Sequence, residues 1–106
     1  MTLESLIGSV EEFRKLDSEM QLQTVLVFLL AARNPGCTLR DLEKLTGLRS
    51  SSVSRNIAAL SERHRTGSKG HQLLVTHVDL IDRRHRRVYL TPKGQRVLNS
   101  LVEVRG

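Results

Sequence analysis

The sequence holds no tryptophan, two phenylalanines and one tyrosine, so aromatics make up 3% of its 106 residues. Whatever core it builds is therefore aliphatic, drawn from Leu, Val, Ile and Ala. The same scarcity removes the stacking platform on which proteins usually hold single-stranded RNA bases. A single cysteine, Cys37, excludes a disulfide framework within the chain. Its neighbours Gly36 and Thr38 supply no cation to stabilise a thiolate, and no second thiol could resolve an oxidised form, so it reads as a packed thiol. No apolar run approaches the ~20 residues of a membrane span, and no basic segment precedes an apolar one at the N-terminus. A cytoplasmic chain is expected. There is no glycine-rich phosphate loop and no nucleophile paired with a base. The four histidines, His64, His71, His77 and His85, are not spaced like zinc ligands. An enzyme, a bound cofactor and a metal site are all unexpected on these grounds.

What is present is a balanced globular composition, 39% hydrophobic and 26% charged, at a length that suits one domain over residues 1–106. A domain of this size has a thin stability margin, which burial of further surface in a dimer would widen. The formal net charge of +6 is unevenly spread: residues 1–48 carry seven acids and five bases, a net of −2, and residues 49–106 carry four acids and twelve bases, a net of +8. Such a split predicts one side that faces a polyanion and another with a different task.

Apolar periodicity predicts a mainly α chain. Leu3, Leu6, Ile7, Val10 and Phe13 recur at spacings of three and four, one stripe of a helix over 2–15. Asp17-Ser18, with Gln21 in capping-box position, predicts the start of a second helix that runs to about Arg33. That helix is apolar nearly all round and is expected to be the most buried. Asn34-Pro35-Gly36 stops it. Thr38 caps a third helix, with Asp41 at the favourable end and Leu39, Leu42 and Leu45 on its inner face. Gly47 ends it and permits a sharp turn into a fourth helix, about Ser50 to Ser61, whose Val53, Ile57 and Leu60 face inward. Residues 63–72 lack any apolar side chain and read as a mobile basic loop. Leu73–Ile81 reads as a strand, Asp82–Arg86 as a turn and Arg87–Leu90 as the returning strand. Thr91-Pro92 opens a last helix over 91–105.

The fourth helix then shows Arg49, Ser50, Ser51, Ser52, Ser54, Arg55 and Asn56 outward. Serine hydroxyls at a helix start suit phosphate, while Arg and Asn side chains can read guanine and adenine. Arg65 and Lys69 in the basic loop suit contact with a nucleic-acid backbone, and Arg83, Arg84, Arg86 and Arg87 stand at the tip of a hairpin too narrow to bury them, so that they are expected to point to solvent or to DNA. Asp82 gains nothing from phosphate itself and is expected to brace Arg84, although an aspartate that merely closes the turn is the competing view. A helix that can enter a groove beside an arginine-tipped ribbon is the layout of a winged helix-turn-helix. A protein-interaction module on the same fold, with DNA binding lost or secondary, is the alternative.

The runs Thr38-Leu39-Arg40-Asp41-Leu42, Leu45-Thr46-Gly47-Leu48, Val53-Ser54-Arg55 and Leu60, then Asp82-Arg83-Arg84 and Leu90-Thr91-Pro92-Lys93-Gly94, resemble the MarR family of bacterial winged-helix repressors over roughly residues 18–105. The resemblance implies a homodimer, assembled through terminal helices, on a palindromic double-stranded DNA operator. It implies a recognition helix in the major groove and a wing arginine, best matched by Arg84, in the minor groove, with Asp82 orienting it. For the dimer contact, Leu3, Leu6, Ile7, Val10, Phe13, Leu101 and Val102 are the candidates. The sequence departs from the family in an apparent insertion over 64–72, in Arg49 at a frequent serine N-cap, which leaves Ser50 as the alternative cap, and in a short C-terminal helix.

Overall fold

The structure, a computed structural model, describes residues 1–62 and 69–104, with side chains described through Leu101. Its elements run α1 (Leu3–Leu16), α2 (Leu22–Arg33), β1 (Cys37–Thr38), α3 (Leu39–Thr46), α4 (Ser50–Leu60), β2 (Leu74–Val78), β3 (Arg86–Leu90) and α5 (Pro92–Val104). The mainly α class with a small β wing is as expected. The strand Cys37–Thr38 is an addition: too short to carry a pattern, it exists because β3 offers it an edge. The sheet order is β1-β3-β2, antiparallel throughout, with Thr38 opposite Arg87 and Thr76 opposite Val88.

Local chemistry explains most boundaries. At the start of α1, Thr2 Oγ1 accepts from Ser5 N at 3.1 Å and Ser5 Oγ accepts from Thr2 N at 3.0 Å, a reciprocal cap. Thr38 and Asp41 form the same box on α3, at 3.0 and 2.9 Å. Gly47 then sits at φ +75°, a left-handed turn that glycine adopts without strain. At the other end, Gly94 N donates to Thr91 Oγ1 at 3.0 Å, so Thr91 caps α5. A Cβ on Gly94 would collide with the Leu73 carbonyl oxygen, so only glycine lets this helix lie so close to the chain entering β2. The start of α2 differs from expectation. Asp17 Oδ1 accepts from Glu19 N at 2.9 Å and closes a local turn, and Gln21 becomes an N-cap with no side-chain bond.

The core joins Val27, Phe28 and Ala31 of α2 to Leu42, Val53, Leu60, Leu73, Leu74 and Val88. Phe13 and Leu101 belong to it as well. Phe13 meets Phe28 edge-to-face with ring centroids 5.9 Å apart, and both Phe13 and Leu101 are buried within one chain. Neither is therefore available to a dimer contact, which corrects the expectation for these two. The rest of the α1 stripe, Leu3, Leu6, Ile7 and Val10, is exposed. Helix α2 is less enclosed than its composition suggests, because Leu22, Leu26 and Leu29 are exposed. Leu45 is exposed too, so the inner face of α3 rests on Leu42 with Leu39 partly buried.

The wing is shorter and its tip longer than the strand pattern implies. β2 ends at Val78, and Leu80 and Ile81 stand outside it, almost fully exposed. Of the basic loop, residues 70–72 are anchored. The N–H groups of Gly70, His71 and Gln72 donate to the carbonyls of Glu62, Ala59 and Ser61 at 2.8–2.9 Å. Arg65 lies outside the described residues.

Candidate nucleic-acid interface

Helix α4 presents its first turn to solvent. Arg49 occupies the N-cap position and no side chain caps the helix, so Ser50 does not take that role. The N–H groups of Ser50, Ser51 and Ser52 precede the first intrahelical bond, from Val53 N to Arg49 O at 3.0 Å. Arg49, Ser50, Ser51, Ser54 and Arg55 are exposed and Ser52 is half-buried, its Oγ accepting from Arg55 Nη2 at 3.1 Å. Donors, hydroxyls and guanidinium groups thus gather at the positive end of one helix, a favourable setting for phosphate oxygens.

Asn56 does not join them. Its side chain is buried, 7% exposed, and its amide is fully engaged inside the protein. Oδ1 accepts from Thr24 Oγ1 at 2.6 Å, while Nδ2 donates to Ser52 O at 2.9 Å and to Gln23 Oε1 at 3.2 Å. An amide so placed cannot read a base. It ties α4 to α2 instead, and the tie is invisible in the sequence because Thr24 lies 32 residues away.

Two aspartates build the wing tip. Asp82 Oδ1 and Oδ2 accept from Arg84 Nε and Nη2, both at 3.0 Å, the side-on geometry in which a guanidinium is held in plane. The Arg84 N–H adds a bond to Oδ1 at 3.2 Å, and His85 Nε2 lies 3.4 Å from Oδ2. The Arg84 guanidinium, then its own N–H, holds the Asp82 carboxyl below the usual carboxylate range, and Asp82 in turn raises Arg84. Asp79 is the second organiser. Its Oδ1 accepts from Ile81 N and Asp82 N at 2.9 and 3.3 Å, its Oδ2 from Arg87 Nε at 3.0 Å. Those N–H bonds, ahead of Arg87, lower its carboxyl. An aspartate that interrupts an apolar run and closes on N–H groups two and three residues later is a turn signal, and it could have flagged Asp79.

Arg87 corrects a further expectation. It does not project from the tip, because Nη1 donates to Gly36 O at 2.7 Å and ties the wing base to the corner after α2. Arg83, Arg84 and Arg86 are exposed, as is Lys69. Ser54 of α4 and Arg86 of the wing line one groove of about 750 Å³, so the two elements border a common cleft. Cys37 is buried, and burial ahead of the Asp41 charge pushes its thiol pKa up. Among the described residues no group of side chains could hold a metal ion, and no helix is long and apolar enough to cross a membrane.

No family model and no curated protein matches the sequence. Solved structures do. The PcaV transcriptional regulator of Streptomyces coelicolor, solved with its natural ligand, superposes with a TM-score of 0.62 at 26% identity, over 78% of this chain and 53% of that one. The MepR–DNA complex of S. aureus gives 0.76 at 16% identity, over 95% and 75%. A MarR transcriptional regulator from Methanosarcina mazei Go1 gives 0.72 at 17%, over 93% and 64%. The chain spans 53% of PcaV and 62% of SlyA. In its helix order and its sheet, the chain has the winged-helix fold of these solved structures.

Proposed function

We propose that the chain is a sequence-specific double-stranded DNA-binding transcriptional regulator, a repressor that binds a palindromic operator as a homodimer. The observation that carries this reading is the uncapped, serine-rich and arginine-flanked first turn of α4, on a helix whose Ser54 lines the same cleft as Arg86 of the basic wing. Ser50, Ser51 and Ser52 with their N–H groups seat a phosphate, and Arg49, Ser54 and Arg55 follow the major groove. Arg84, held in plane by Asp82, enters the minor groove, where a narrow A·T-rich stretch concentrates negative potential. Arg83, Arg86 and Lys69 neutralise the flanking backbone, together with Arg65. MepR, of the same fold, is solved on DNA.

The dimer rests on Leu3, Leu6, Ile7 and Val10, exposed on one face of α1, together with the end of α5 around Val102. Two-fold contacts are the commonest assembly, and they match a palindrome. Repression follows from occupancy of the operator. Selection of bound sequences from a random duplex pool tests the whole reading. A palindromic consensus is the expected result. A pool that stays random, or binding without salt dependence, counts against it, since phosphate contacts weaken steeply with salt.

A further inference from the structure

The wing tip carries two side chains that neither the fold nor the arginines explain. Leu80 is 89% exposed and Ile81 is 98% exposed, at the turn of an otherwise charged hairpin. They are not loosely placed. Asp79 Oδ1 takes the N–H groups of Ile81 and Asp82, Asp79 N donates to His85 O at 2.9 Å, and His85 N donates to Asp82 O at 3.0 Å. The knot fixes the backbone so that the apolar pair is held out in solvent. Arg83, Arg84 and Arg86 stand beside it, all exposed. At the wing base, Arg87 bonds to Asp79 Oδ2 and to Gly36 O, which anchors the hairpin to the body of the protein.

A partner for this tip must offer an apolar surface bordered by negative charge. A second copy of the tip does not, because three arginines would face three arginines. A duplex does: the minor groove has sugar walls and base edges between two phosphate rails. We propose that Leu80 and Ile81 form an apolar wedge that enters a base step of the minor groove beside Arg84 and bends the duplex. This rests on the DNA-binding reading above. Apolar side chains inserted between base steps unstack them and kink the helix toward the major groove. The anchoring through Arg87 lets a rigid hairpin apply that distortion. The wedge also predicts a sequence preference. Arginine favours a narrow A·T-rich groove, whereas insertion favours an easily unstacked pyrimidine–purine step, and a TA step meets both demands.

The test uses the full chain and an A·T-rich duplex of about 30 base pairs with a central TA step, labelled at both ends for energy transfer. Wild type is expected to shorten the end-to-end distance. The double variant Leu80→Ser/Ile81→Ser should abolish the shortening and weaken binding by about ten-fold or more, in keeping with the removal of two apolar side chains that the duplex would bury. The slope of affinity against salt should stay unchanged, because every phosphate-neutralising cation is kept. Leu80→Phe/Ile81→Phe, a larger apolar pair, should keep the bend. Both variants alter exposed residues, and an unchanged melting curve verifies their folding. If wild type binds without bending, or the serine variant bends the duplex equally, the wedge is wrong while DNA binding stands. If the serine variant changes the sedimentation coefficient of the free protein, the pair is a contact between copies and the wedge is again wrong. If wild type binds no duplex at all, the DNA-binding reading itself fails, and the wedge with it.

Discussion

Thr24 Oγ1 donates to Asn56 Oδ1 at 2.6 Å, and this buried bond holds α4 against α2. Both residues are shielded from water, 7% exposed each, so neither partner can be rehydrated cheaply if the other is removed.

Thr24→Val or Asn56→Ala is accordingly expected to destabilise the fold by about 1–3 kcal/mol, the usual cost of stranding a buried polar group. In urea unfolding the double variant should lose less than the sum of the singles, with a coupling of about 0.5–3 kcal/mol. Strictly additive losses would mean that the two side chains act separately. DNA affinity per folded molecule should fall in either single variant, because the first turn of α4 loses its registration through Ser52.

The wing pair separates affinity from stability. Arg84→Ala is expected to cost ~1–3 kcal/mol of specific DNA affinity, the range of one good groove contact. Asp82→Asn should cost part of that and leave the melting temperature nearly unchanged, since the pair is exposed. An Asp82→Asn protein that melts early and binds normally when folded would make Asp82 a turn-closing residue only.

Acid should undo the same pair in a defined window. Asp82 has a folded-state pKa below its ordinary value, first through Arg84. A group lowered in this way contributes fully above its unfolded value, near ~4, and loses its contribution as pH falls through the lowered one. The Arg84 Nε–H resonance, followed by NMR, should therefore hold its position from neutrality down to about pH 4 and move only below it. Movement well above that window instead would show that Asp82 does not control the pair.

Assembly is tested on α1. Leu6→Asp/Val10→Asp places charge on the exposed stripe, where neither side chain supports the core. The variant is expected to sediment as a monomer, with operator affinity much reduced, while its helicity by circular dichroism is retained. Wild type sedimenting as a monomer at tens of micromolar would end the dimer proposal.

Arg65→Ala/Lys69→Ala should weaken binding to all duplexes alike and reduce the salt slope by about one unit for each phosphate no longer neutralised. An unchanged slope would leave the basic segment without a part in binding.

What the sequence made legible was whatever depends on near neighbours. The Thr38–Asp41 box, the turn at Gly47, the Thr91 cap and the inward positions Val53, Ile57 and Leu60 all follow from spacings of three or four. The Asp82–Arg84 geometry lies two residues apart and was equally accessible. The misreadings share another cause. Asn56, Phe13 and Leu101 take their places from partners distant in the chain, and a helical stripe does not say which neighbour covers it. Leu80 and Ile81 carry strand-like side chains, yet Asp79 offers the backbone a competing set of acceptors and wins. The two-residue β1 has no periodicity to detect.

Thr38 belongs to two structures at once. It pairs with Arg87 at the wing base, and its hydroxyl caps the helix that leads into α4. The wing and the helix pair α3–α4, proposed above to meet different grooves, are therefore joined through one residue, much as the two jaws of a caliper share a bar. The span between them is set when the chain folds, before any duplex is met. A DNA site with one base pair inserted between its major-groove and minor-groove segments would then be out of gauge, and the duplex, not the protein, would have to twist to fit.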